Sequence, residues 1–373
     1  MTPKVSIIIP IYNVEKYIGR CLQSVVGQSF YDIEIICVDD CSPDNSLQIV
    51  QKYAKQDKRI KIVKNQKNLR LGKTREAGFF SSSGEYVTFV DSDDTICFDY
   101  IEKLYDKAKQ TGAEVVKGNT MLIFKDGTTA IKQENAMMYK LLKNGEYLFL
   151  ANFHDLTNLL ISRSFMLKNN IMPDNINGDD CCAIRIFYYA KNIHIIDEAI
   201  YYYWYGQDTS FSNKIINESS FKIRFDYISS QIKLINSFEV DKETYIAFVK
   251  QHLQNAYQSV RRVCQSTNMK WKYLIANEFI RVINEEIQLT KQEKEKYIFI
   301  PMCKNIANAI KTGNAKLLVK LAQGKSKVAS KFVKPIAKIL SSILIFKKPR
   351  KKLRNKILGW FYICDSLFVA SQP

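Results

Sequence analysis

Four short β-branched runs near the start of the chain, VSIIIPIY (5–12), IEIICVDD (33–40), IKIVK (60–64) and EYVTFVDSDD (85–94), leave little choice of fold. Between them lie segments with helical periodicity, around residues 14–26, 45–55 and 72–82. Strands that read as continuous apolar runs, with no alternation, belong to a parallel sheet covered by helices on both faces. The expectation is an α/β domain with a doubly wound sheet. Ligands bind such sheets beyond the carboxyl ends of the strands, so the residues at those ends are the ones to weigh for function.

Two of the runs end in acids: Asp39 and Asp40, then Asp91, Asp93 and Asp94. Carboxylates gathered at one rim repel one another unless a cation joins them, and hard divalent ions prefer oxygen ligands. A bound Mg2+ or Mn2+ would bridge a diphosphate and offset the charge growing on it as a leaving group. The plainer alternative is that these aspartates cap helices and turns, as Asp44 would before residues 45–55. The segment LGKT (71–74) ends like a P-loop, but the first glycine of that motif would fall at Lys67, which argues against an ATPase. Nine cysteines are scattered without a CxxC pair, and His154, His194 and His252 lie far apart. Neither a disulfide framework nor a zinc site is expected, and a reduced, cytoplasmic compartment fits.

The segments VSIIIPIYN (5–13), SVVGQSFYDIEIICVDDCSPDNS (24–46), GEYVTFVDSDD (84–94), GDD (178–180) and AIYYYWYGQDTSFS (199–212) together closely resemble family 2 glycosyltransferases of the GT-A fold. The resemblance covers about the first 212 residues. It implies an inverting transferase that moves a hexose or N-acetylhexosamine from a nucleotide sugar, expected to be UDP-linked, onto a lipopolysaccharide, capsule or related surface glycan. It implies that Tyr12 and Asp40 hold the uracil ring, with Asp39 beside them, and that Arg75 contacts the nucleotide. Here Thr74, Arg75 and Glu76 stand where the family usually has Ala-Arg-Asn. Asp91 and Asp93 form the DxD motif, Asp93 as metal ligand and Asp91 near the ribose and the metal shell. Asp180 matches the general base, preceded by Asp179 where Glu is usual. Gln207 and Ser210 fall where the family's donor diphosphate lies.

A base is required by the chemistry in any case, because a hydroxyl is a poor nucleophile and in-line attack on the anomeric carbon needs a positioned proton acceptor. Read without the resemblance, Asp179 and Asp180 would equally serve as helix caps before residues 181–190. The run Tyr201 to Tyr205 would turn Tyr201, Tyr203 and Tyr205 one way along a strand and Tyr202 and Trp204 the other.

From about residue 217 the pattern turns helical. The expected division is a glycosyltransferase domain over 1–213, a helical domain over 214–300 and a basic amphipathic tail over 301–373. The formal net charge is +18, and between Tyr297 and Cys364 there are sixteen Lys and Arg with no Asp or Glu. Lys316, Lys320, Lys327, Lys331, Lys334 and Lys338 recur at helical intervals, and KKPRKKLRNK (347–356) is followed by Trp360, Phe361 and Tyr362. Cations beside aromatic and aliphatic groups suit an anionic lipid interface. No secretory leader is read at Met1 to Pro10, and no apolar run reaches the roughly twenty residues of a spanning helix. The expectation is a peripheral protein at the inner face of the cytoplasmic membrane, with a glycan or glycolipid acceptor and no nucleic-acid partner. The competing expectation is a non-catalytic tether to membrane or nucleic acid built on a degenerate nucleotide-sugar fold.

Overall fold

The structure is a computed structural model that describes residues 2–132, 156–173, 178–206, 229–264, 269–299 and 304–323. The chain divides into two compact units, Met1–Ile215 and Ile216–Pro373. Gln207, Ser210, and the basic and aromatic residues from 324 to 373 lie outside the described residues.

In the first unit, β1 (Val5–Ile11) lies between β2 (Ile33–Asp39) and β4 (Tyr86–Phe89), and β3 (Ile60–Lys64) extends the sheet beyond β2; all of these neighbours are parallel. Every residue of β1, β2 and β4 is buried, which is why their sequences are mostly apolar, and the buried polar pair Ser6 and Glu34 is joined by a 2.6 Å hydrogen bond from the Ser6 hydroxyl. The connecting helices are α1 (Ile18–Val26), α2 (Ser46–Gln56) and α3 (Arg70–Phe80). Val5, Ile7 and Ile9 share one core cluster with Ile18, Leu22 and Val25 of α1, while α3 packs on β1 and β2. The register pairs Ile11 with Asp39, so the carboxyl ends of β1 and β2 finish side by side.

Beyond β4, past the stretch read as parallel, the sheet is mixed. β5 (Thr95–Ile96) is followed by helix α4 (Tyr100–Thr111), then β6 (Val115–Ile123), β7 (Thr129–Lys132), β8 (Leu159–Ser162) and β9 (Ile193–Trp204). β8 runs antiparallel to both β4 and β6, β9 runs parallel to β6, and β5 and β7 form antiparallel margins on β9 and β6. In β7 exposed and half-buried positions alternate, and β9 mixes buried, half-buried and exposed positions, as strands not covered on both faces do. Short helices α5 (Arg163–Lys168) and α6 (Gly178–Tyr189) complete the unit.

The second unit is helical where described. Residues 229–236 are helical, followed by α7 (Lys242–Cys264), α8 (Met269–Arg281) with a π-helical turn over Val282–Glu286, α9 (Lys291–Lys294), a second π turn over Glu295–Phe299, α10 (Lys304–Lys311) and α11 (Ala315–Gln323). α11 packs on α7, α8 and α10, and Ile306, Ile310, Leu318 and Val319 are buried. Residues 304–323 thus pack within this unit. Lys316 and Lys320 are exposed one turn apart on α11. Among the described residues no helix is long and apolar enough to cross a membrane.

Gly78 sets the distance between α3 and the sheet. A Cβ built there would stand 2.4 Å from Cγ2 of Ile8 and 3.1 Å from Cγ2 of Val38. Both neighbours are fully buried, so neither can swing away. Gly78→Val should therefore destabilise the first unit by about 2–3 kcal/mol through overpacking. Denaturant titration followed by circular dichroism checks this, and an unchanged midpoint would mean that α3 can lift off the sheet freely.

Candidate functional site

The carboxyl ends of β1 and β2 bring Tyr12, Asp39 and Asp40 together. Tyr12 follows β1 and is 46% exposed, while Asp39 and Asp40 are buried. Asp40 donates its backbone N–H to the Ile11 carbonyl at 2.9 Å, which ties the two strand ends. Its carboxylate accepts three N–H groups: Asn65 Nδ2 at 2.7 Å, Leu69 N at 2.7 Å and Arg70 N at 2.9 Å. Asp40 is therefore the anion at the start of α3, as the capping reading of the sequence expects. A carboxylate offers about four acceptor positions, so one more donor can be accommodated. Asp39 accepts from Ser42 N at 3.3 Å. Three residues around this rim, Asn13, Cys41 and Arg70, have positive φ of 57°, 58° and 68°, in the left-handed region that costs a non-glycine residue about 1–2 kcal/mol. Asp44 accepts from Ser46 N and Oγ at the head of α2, as a capping acid does.

The second acidic cluster is a turn after β4. Arg75 on α3 is buried to 1% exposure and donates from Nη2 to Asp91 Oδ1 at 2.5 Å. It is placed as a support for that carboxylate. Asp94 is buried and receives Tyr201 Oη at 2.8 Å on one oxygen and the Trp204 backbone N–H at 3.0 Å on the other. The Tyr201 hydroxyl also accepts from Asp91 N at 3.2 Å, and Trp204 Nε1 donates to Thr95 Oγ1 at 3.1 Å. The turn is thereby stitched to the end of β9.

Burial, with repulsion from Asp91, pushes the Asp93 carboxyl up to about 6. Burial, with Asp93 and Asp91 next, holds Asp94 well above the usual carboxylate range. Burial pulls the Arg20 guanidinium down, opposed by Asp94 and Asp93. Three carboxyl groups thus lie within four residues, with Arg75 paired to Asp91 and Arg20 bonded to the Asp93 carbonyl, and oxygen-rich clusters of this kind are what hard divalent cations prefer. Among the described residues no three His, Cys, Asp or Glu side chains form a closed cation site.

Asp179 and Asp180 occupy the first turn of α6, and their side chains fall outside what is described. Gln207 and Ser210 lie just beyond β9, also outside the described residues. Sequence reading missed Arg20, whose Nη2 donates to the Asp93 carbonyl at 2.5 Å and whose guanidinium lies 4.0 Å over the Trp204 ring. The available signal was that Arg20 is the single charged residue in α1, IGRCLQSVV. It also missed Tyr201 and Trp204 as partners of Asp94. A separate surface groove, lined by Lys103 and Lys107 of α4 and by Ile193 to Glu198 of β9, includes none of these acids.

A model of the family described as Glycosyl transferase family 2 matches residues 6–188. Glycosyltransferase GlyA of Streptococcus pneumoniae serotype 4 is 43% identical over 116 residues, 31% of this chain and 16% of that protein. The cholesterol galactosyltransferase of Borreliella burgdorferi is 26% identical over 316 residues, 80% of this chain and 82% of its own length. The crystal structure of S. aureus TarS 1–349 in complex with UDP-GlcNAc is similar with a TM-score of 0.66 at 19% identity, covering 88% of this chain and 92% of that one. The chain spans less than two thirds of the length of several curated relatives that it matches, GlyA among them.

A carboxyl whose pKa is raised by folding binds its proton more readily in the folded state, so stability falls as pH rises between the unfolded and folded values. For Asp93 that window runs from 3.8 to about 6. At pH 7 without metal, Asp93→Asn should therefore be more stable than the native chain by about 2–3 kcal/mol, the gap closing toward pH 4. Denaturant titrations across this range test it; a gap independent of pH would rule out charge as the cause.

Proposed function

Because the chain belongs to glycosyl transferase family 2 and has the GT-A fold, we propose that it is a metal-dependent, inverting glycosyltransferase. The donor is a UDP-linked hexose or N-acetylhexosamine, and the acceptor is a lipopolysaccharide, capsule or related surface glycan. The observation that carries this reading is the acidic turn of Asp91 and Asp93, set on the same sheet rim as Tyr12, Asp39 and Asp40. Similarity to a TarS structure that holds UDP-GlcNAc supports the choice of UDP.

Each residue then has a task. Tyr12 offers an exposed ring for stacking on uracil, and Asp39 and Asp40 accept N–H donors from the base. Asp93, with Asp91, holds Mn2+ or Mg2+, which when bound supplies Lewis-acid neutralisation of the diphosphate. Arg75 orients Asp91 and reaches the nucleotide through it. Asp180 takes the proton from the acceptor hydroxyl as it attacks the anomeric carbon opposite the diphosphate. One base and one displacement invert the anomeric centre, so an α-linked donor gives a β-linked product. Gln207 and Ser210 are assigned to the donor diphosphate. The basic segment after Gln323 is assigned to an anionic membrane surface, which would place the enzyme peripherally at the inner face of the cytoplasmic membrane beside a lipid-linked acceptor.

Two substitutions separate the roles. Asp93→Ala should abolish UDP release from UDP-sugars while the circular dichroism spectrum stays that of the native chain. Asp180→Asn keeps the shape but removes the base, so UDP affinity should survive while transfer falls by roughly two to four orders of magnitude. If UDP binding collapsed in Asp180→Asn and transfer persisted, the base would be another residue. For the membrane role, a chain ending at Gln323 should lose salt-sensitive partition onto anionic liposomes and keep donor hydrolysis. Equal partition of both chains would refute it.

A further inference from the structure

We propose that Arg20 is a positioning residue for the transfer reaction, holding the turn that carries Asp91 and Asp93 against the end of β9. This rests on the glycosyltransferase reading given above. Arg20 leaves α1 and joins two elements remote from it in sequence. Its Nη2 donates to the main-chain carbonyl of Asp93 at 2.5 Å, across 73 positions. The face of the same guanidinium lies over the Trp204 indole, 4.0 Å from the ring centre, with Tyr17 at 5.1 Å. Trp204 in turn gives its backbone N–H to Asp94 and its indole N–H to Thr95.

The carbonyl of Asp93 belongs to the peptide that links Asp93 to Asp94. Fixing that peptide plane fixes the directions in which the two flanking carboxyl groups leave the chain. A guanidinium suits the task because its edge donates in plane while its face stacks on an aromatic ring. A neutral amide lacks the charge that draws a cation to the indole face, and an ammonium lacks the planar fork. Arg20 acts through Asp93 and Trp204 and not by touching the donor. Its loss should therefore show in the rate of the chemical step more than in donor affinity, which rests on the ends of β1 and β2.

The test compares full-length native chain, Arg20→Gln and Arg20→Lys, using UDP-GlcNAc and UDP-glucose with Mn2+ and measuring UDP release. Calorimetric titration with UDP counts competent sites, so kcat is expressed per site. In a background of Trp271→Phe and Trp360→Phe, emission from Trp204 reports the stack. Arg20→Gln should lower kcat per site by about tenfold or more with donor KM changed less than about threefold, and should shift the Trp204 emission. Arg20→Lys should recover only part of kcat, since an ammonium keeps the charge but not the planar fork. Native kcat and KM in Arg20→Gln would overturn the inference, as would a loss of rate fully accounted for by lost UDP sites with Trp204 emission unchanged. A native chain that releases no UDP from either donor would overturn the glycosyltransferase reading, and this inference with it.

Discussion

Repulsion among three carboxyl groups within four residues is the constraint around which the first unit is arranged. Asp91, Asp93 and Asp94 could not share a buried turn if each were left to itself, since burial and like charge both disfavour ionisation. The structure answers with groups from different elements. Arg75 comes from α3, Arg20 from α1, and Tyr201 and Trp204 from the last third of β9. Even the two-residue strand β5 has its meaning here, because its pairing of Thr95 with Tyr202 and Ile96 with Tyr201 brings β9 alongside the turn.

The other half of the rim is stiff for a different reason. Asn13, Cys41 and Arg70 sit in left-handed backbone at positions where glycine would be easier, and each is held by nearby hydrogen bonds. Asn13 N donates to Ser42 Oγ, Cys41 Sγ to the Asn65 carbonyl, and Arg70 N to Asp40. Strain of this kind persists only where the surroundings over-determine the backbone. This end of the rim is thus held in place by the chain's own hydrogen bonds.

The parallel half of the sheet was legible because strands buried on both faces have no choice but continuous β-branched runs. β1 to β4 and the helices between them follow that pattern closely. The switch to antiparallel pairing at β8 was not legible, since LLIS is four residues long and its neighbours are far away in sequence. Asp39, Asp40, Asp91 and Asp93 could be singled out because acids at strand ends are conspicuous. Arg20 could not, because its meaning depends on a carbonyl and an indole that only folding delivers. Asp40 shows that two sequence readings can be compatible, since a carboxylate that caps α3 still has an acceptor position to offer. The apolar residues of α10 and α11 are spaced for a helix whether it packs on protein or lies on lipid, so sequence alone could not tell which.

The stitching of Asp94 to β9 has a temporal side. The hydrogen bonds to Tyr201 and Trp204 span 107 and 110 positions. A ribosome adds about 5–20 residues each second, so the acidic turn exists for several seconds before its partners are made. During that interval the parallel strands can pair, but the carboxyl groups at their rim have to stay in water, and the edge that β9 will cover stays open. Closure of the sheet and completion of the acidic turn are therefore one late event, and a nascent chain that stops short of Trp204 has strands without a working rim.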